Sequence, residues 1–193
     1  MSFFKKIFNK PSKDQELKQQ EVHLSLDDAF VHHFINKGGK FLYCISEDEI
    51  AGNLHQIFLE NNWKETTCVE TGLKSYLEKN NITSNTEFEK TSPFFTTCEH
   101  LISDNGDILF SSNQLSTHKI ASLTDDFIVF ARTSQLVKNT GQGLTGIKSN
   151  FKGNIPTNIS AVKNYTLKND DDNFLNYGNS NAKNLYLLLL EDL

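Results

Sequence analysis

The sequence predicts one α/β domain with a three-layer α/β/α arrangement and a mostly parallel, mixed sheet. Three observations carry that expectation. Apolar runs of strand length lie at Lys40–Ile45, Phe127–Ala131 and Leu185–Leu190, amphipathic helical stretches alternate with strand-like segments, and a turn at Asp104-Asn-Gly106 adds an antiparallel pair. Strands covered on both faces read as nearly continuous apolar runs, because neither side of the sheet meets water.

A chain of 193 residues is close to one domain, and at that size it buries roughly 70% of the surface its unfolded form exposes. Residues 1–22 are rich in Lys and Gln and broken by Pro11, so they read as an arm ahead of a domain over 23–193. In the arm, Phe3, Phe4, Ile7 and Phe8 share one helical face beside Lys5, Lys6 and Lys10. A frayed or domain-packed terminal helix is preferred over a membrane contact there, since one short stripe binds membranes only marginally.

Within the domain, Leu26, Ala29, Phe30, His33 and Phe34 predict a helix between Ser25 and Lys37, capped by Ser25 and stopped at Gly38-Gly39. The strand Lys40–Ile45 leads into a capping box, Ser46 with Glu49, and a helix carrying Ile50, Ala51, Leu54, Ile57 and Phe58. A short strand at Thr66–Val69, a helix around Leu73–Glu78 and a polar loop over Asn80–Ser92 follow. Phe94–Leu101 and Ile108–Ser111 read as β segments joined at Ser103-Asp-Asn-Gly106. Beyond the Phe127 strand, Leu136, Val137, Leu144 and Ile147 fall at helical spacing, Asp170-Asp-Asp172 reads as a solvated loop, and Leu185–Leu190 completes the sheet.

The formal net charge of -5 leaves no basic stripe to neutralise phosphates, which argues against nucleic acid as a partner. Cys44, Cys68 and Cys98 include no C-x-x-C pair, pointing to reduced, structural thiols in a cytoplasmic protein. None of the six histidines has the spacing of a metal pair, and Cys98 with His100 read as a buried thiol beside a hydrogen-bonded imidazole; no metal is expected. Gly141-Gln-Gly-Leu-Thr-Gly146 spells a dinucleotide fingerprint, but it begins ten residues past Ala131 instead of at a strand end. That context disfavours a nucleotide loop and leaves the cofactor unassigned.

The segment Thr96-Thr-Cys-Glu-His-Leu-Ile-Ser-Asp-Asn-Gly-Asp-Ile-Leu-Phe110, followed by Phe127-Ile-Val-Phe130 and closed by Tyr186-Leu-Leu-Leu-Leu-Glu-Asp192, resembles the LUD, or lactate-utilisation, family. The likeness spans roughly Asp27 to Leu193. Ser103, Asp104, Asn105, Gly106 and Asp107 stand where the family has Ala, Glu, Thr, Gly and Thr; Gly178-Asn-Ser-Asn181 loosely resembles its closing Gly-Val-His-Gly-Pro. The resemblance implies the fold shared by ribose-phosphate isomerases, glucosamine-phosphate deaminases and class I CoA-transferases. It also implies a soluble accessory role in oxidising lactate or a related small organic acid, alongside other proteins of such a system and with a possible small-molecule ligand. Ser103-Asp-Asn-Gly106 is similar to the Ser-Glu-Asn-Gly of the CoA-transferases, which makes Asp104 the candidate nucleophile or base, with Asn105, Gly106 and Gly178 as candidate ligand contacts. Two other readings stay open: a free-standing enzyme on CoA esters or sugar phosphates, and a non-catalytic interaction module in which the same residues simply form an Asx turn.

Overall fold

The computed structural model describes residues 24–88, 91–167 and 181–192; the arm, Asp170–Asp172 and Gly178 lie outside them. In chain order the elements are α1 (Leu26–Asn36), β1 (Lys40–Cys44), α2 (Glu47–Glu60), β2 (Glu65–Thr67), α3 (Lys74–Lys79), β3 (Thr83–Asn85), β4 (Phe94–Thr96), β5 (His100–Ile102) and β6 (Asp107–Phe110). They continue with α4 (Ser112–Leu115), β7 (Asp126–Arg132), β8 (Leu136–Val137), α5 (Thr140–Asn150), β9 (Ser160–Val162) and β10 (Asn184–Leu190). No helix among the described residues is long and apolar enough to cross a membrane.

Six strands form a parallel sheet in the order β1-β10-β7-β4-β2-β3. Successive side chains of a strand point to opposite faces, so Phe127, Val129, Leu185, Leu187 and Leu189 enter one core while Ile128, Phe130, Tyr186, Leu188 and Leu190 enter the other. α2 and α3 cover the second core, and α1 with a small sheet covers the first, which yields the expected three-layer α/β/α fold. Truncating a side chain such as Phe127, which is fully buried, to alanine would cost about 3–5 kcal/mol.

The antiparallel pair is real but belongs to that second sheet, ordered β8-β5-β6-β9. Three local expectations change accordingly. Phe94–Leu101 is not one segment: β4 ends at Thr96, the chain leaves the main sheet through residues 97–99, and β5 begins the second sheet at His100. Leu136 and Val137 are not helical but pair in parallel with Leu101 and Ile102. The polar loop after α3 contains an edge strand, β3, held by β2 through backbone pairing that its Thr, Ser and Asn side chains do not advertise.

The helix starts follow the sequence closely. Ser25 accepts from the Asp28 amide, and Ser46 from the Glu49 amide. The Glu49 carboxylate reaches the amide of Ile45, one residue ahead of the cap, at 2.9 Å. α1 stops at Lys37, and Gly38 takes φ +90°, a conformation a Cβ resists.

Candidate functional site

Ligands of open parallel sheets bind outside the carboxyl ends of the strands, where the chain's progress across the sheet reverses. Here the reversal falls between β2 and β4: β2 connects outward to β3, whereas β4 leads towards β7 and β10. Glu70 stands at this point, just beyond β2. Its carboxylate accepts from the Thr96 hydroxyl at 2.6 Å, the Thr97 amide at 2.8 Å and the Thr97 hydroxyl at 2.5 Å.

The network extends through neighbouring loops. Gln114 Nε2 donates to the Thr97 hydroxyl at 3.5 Å, and Gln114 Oε1 accepts from the Ser111 amide at 2.9 Å, closing a capping box at the start of α4. Glu99 Oε1 accepts from the Ser111 hydroxyl at 2.5 Å and from Asn113 Nδ2 at 2.8 Å. On the other flank, Gln135 Nε2 donates to the Cys98 carbonyl at 2.6 Å, and its Oε1 accepts from the Arg132 amide at 2.8 Å. Arg132 is the chain's single arginine. It ends the central strand β7, with its guanidinium 3.9 Å from Glu47 and packed over the Phe130 ring. Beside it, Asp192 accepts from the Thr133 hydroxyl and from the amide and hydroxyl of Ser134.

Electrostatics divide the groups of this edge. Burial, followed by the charges of Glu99 and Glu70, pushes the Cys98 thiol far up, which keeps it protonated and removes it as a nucleophile. Burial also pulls Asp192 upward, but the donors of Ser134 and Thr133 and the Arg132 charge outweigh it and hold this carboxyl below its ordinary value. The result is a rim of oriented hydroxyls and amides, three hydrogen-bonded carboxylates (Glu70, Glu99 and Asp192) and one arginine.

Asp104, Asn105 and Gly106, the candidates from the sequence that fall within the described residues, lie elsewhere. Asp104 is exposed on the β5–β6 turn, and its amide donates to the Lys138 carbonyl at 2.9 Å. Asn105 Oδ1 accepts from the Asp107 amide at 3.0 Å, an Asx turn. Gly106 has φ +69°, and a Cβ on it would stand 2.6 Å from the Phe34 amide nitrogen. This turn and Ser111 occupy opposite ends of the hairpin, so at about 3.3 Å per residue β6 separates them by roughly 13 Å. Gly143 and Gly146 of the fingerprint lie inside α5, where a Cβ would meet Leu109 at 2.9 Å and His100 at 2.7 Å respectively; they let the helix approach the hairpin. His100 Nδ1 lies 3.2 Å from the Gln135 carbonyl oxygen, and the described residues contain no cluster of three or more metal-binding side chains.

Glu70, Thr97, Glu99, Arg132 and Asp192 are the residues of this candidate site that sequence reasoning did not assign a role. Two signals were present: Ser111 followed three residues later by Gln114, and a solitary arginine at the end of a buried strand.

No family model matches the chain, and no curated protein matches it. Among solved structures, the chain is similar to a DUF162 family protein from Deinococcus radiodurans, with a TM-score of 0.60 over 88% of this chain and 100% of that one. Their sequences are 12% identical, so the likeness establishes a shared fold.

Proposed function

We propose that this chain is a LUD-type domain that acts as an accessory component in the oxidation of lactate or a related small organic acid, and that it takes its ligand at the carboxyl ends of β2 and β4. DUF162 is the LUD domain under another designation, so the fold likeness and the resemblance over Thr96–Phe110 favour the same family. The observation that carries the choice of site is the Glu70 carboxylate bridging the reversal point to Thr96 and Thr97. Arg132 supplies a cation for a carboxylate ligand. With three separate cysteines and no fingerprint loop in the right context, the electron-transfer step falls to a partner protein.

A thermal-shift screen with 2-hydroxy acids, 2-keto acids, CoA esters, sugar phosphates and nucleotides tests this reading. A ligand present at 100 times its dissociation constant adds about 2.7 kcal/mol. The expected pattern is stabilisation by a small organic acid, lost in Arg132→Ala and Thr97→Val and kept in Asp104→Asn. Stabilisation by a CoA ester or sugar phosphate that Asp104→Asn abolishes would instead support the free-standing enzyme. No response to any of these classes would favour the interaction module.

A further inference from the structure

β1 forms one edge of the six-stranded sheet, and a groove flanks each of its faces. The larger, about 660 Å³, lies between α1 and β1 and has Val31, Phe41 and Leu189 in its lining. Leu24 and Tyr43, each about half exposed, add further apolar surface. Asp27 and Asp28 also line it, Glu191 stands beside the Tyr43 hydroxyl, and among the described residues its lining holds no lysine or arginine. It is an apolar groove with an acidic rim.

The chain that precedes Leu24 therefore starts at the groove itself. That segment carries Phe3, Phe4, Ile7 and Phe8 together with Lys5, Lys6 and Lys10, the complement of the groove in both hydrophobicity and charge. We propose that residues 3–10 dock in this groove of their own chain, with the aromatic and aliphatic side chains towards Val31, Phe41 and Leu189 and the lysines towards Asp27, Asp28 and Glu191. Residues 11–23 connect the two, and at about 3.3 Å per residue they can span roughly 40 Å, ample for the return. Tethering at this length gives an effective concentration on the order of millimolar, so a weak contact is populated without a partner.

Disulfide trapping in the full chain tests the docking, since the native cysteines are all buried and do not compete. Phe4→Cys is combined with His32→Cys at the groove, or with Glu78→Cys on α3 beside the far edge of the sheet as control; Val31→Cys replaces His32→Cys if that variant folds poorly. Under mild oxidation the groove pair should close within one chain about tenfold faster than the control pair, in line with its higher effective concentration. Lys5→Glu with Lys6→Glu should slow closure, Asp27→Lys with Glu191→Lys should restore it, and salt near 1 M, where screening acts within about 3 Å, should weaken it. Equal rates for the two pairs would overturn the proposal. So would a disulfide formed between chains, which assigns the groove to a second copy. An arm that co-sediments with phosphatidylglycerol vesicles and forms no intrachain disulfide without them would assign it to a lipid surface instead.

Discussion

The Tyr165 hydroxyl donates to the Gly106 carbonyl at 2.6 Å, joining positions 59 residues apart. Around this contact Asp107 meets Lys37 at 2.8 Å, and the Tyr165 amide donates to the Lys37 carbonyl at 3.0 Å. The β5–β6 turn is thereby fixed to the end of α1 and the start of β1, at the amino edge of the main sheet.

Gly106→Ala should be far costlier than Asp104→Asn. Alanine at φ +69° loses about 1 kcal/mol from conformation alone, and its Cβ would also collide with the backbone of Phe34 and His33. Asp104 is exposed and, among the described residues, is tied down through its amide to the Lys138 carbonyl, so its replacement by asparagine should change stability by under about 1 kcal/mol. Urea denaturation of both variants checks the order; a Gly106→Ala chain as stable as the parent would show that the turn relaxes.

Asp107→Asn should destabilise by about 1–3 kcal/mol, because it leaves the Lys37 ammonium without its anion. The Asp107 side chain is 5% exposed and that of Lys37 31%, so water replaces part of the lost contact and places the effect below that of a fully buried pair. A change within 0.5 kcal/mol, about the scatter of surface substitutions, would count against this anchoring role.

Alkaline pH should weaken the fold through its thiols. Burial raises Cys68 to about 11 and Cys98 further, against about 8.5 in an unfolded chain. For groups raised in this way, stability is complete below the unfolded value and declines as pH climbs towards the folded one, at up to about 1.4 kcal/mol per pH unit for each thiol. Cys68→Ala should flatten the slope between pH 8.5 and 11 in melts taken across that range. In the native state near neutral pH, a bulky thiol reagent should label Cys44 and Cys68 slowly; rapid labelling would show that these sites open.

Ser116→Gly should stabilise the domain. Ser116 sits at φ 52° and ψ -123° after α4, a conformation disfavoured for any residue with a Cβ. Asn158 Nδ2 holds the segment in place through the His118 carbonyl at 2.7 Å. Relieving the strain should contribute about 1 kcal/mol, raising Tm by roughly 2–4 °C at this size. A lowered Tm would mean that the serine makes a contribution the backbone angles do not reveal.

The sequence made β7 and β10 legible because each is buried on both faces and hence apolar along its centre. β1, an edge strand buried fully only at Cys44, was legible from its run of Phe41, Leu42 and Tyr43. β3 was hidden by the same logic: an edge strand of Thr, Ser and Asn carries no burial signal. The second sheet escaped notice because its strands are two to four residues long and Leu136–Val137 happen to continue a helical spacing. Asp104 attracted attention because turn chemistry is local. The Glu70 contacts with Thr96 and Thr97 bridge 26 and 27 positions, and neither a motif nor a periodicity encodes such a pairing.

β10 lies between β1 and β7, yet it is the last of the described strands to be made. Until synthesis has passed Leu190, β1 lacks its one neighbour among the described strands and β7 lacks one of its two. The central pairings join residues up to 146 positions apart, as in Lys40 with Tyr186. Contacts of that separation make for slow closure, so a ribosome stalled before β10 would present two apolar strand edges to chaperones or to other unfinished chains.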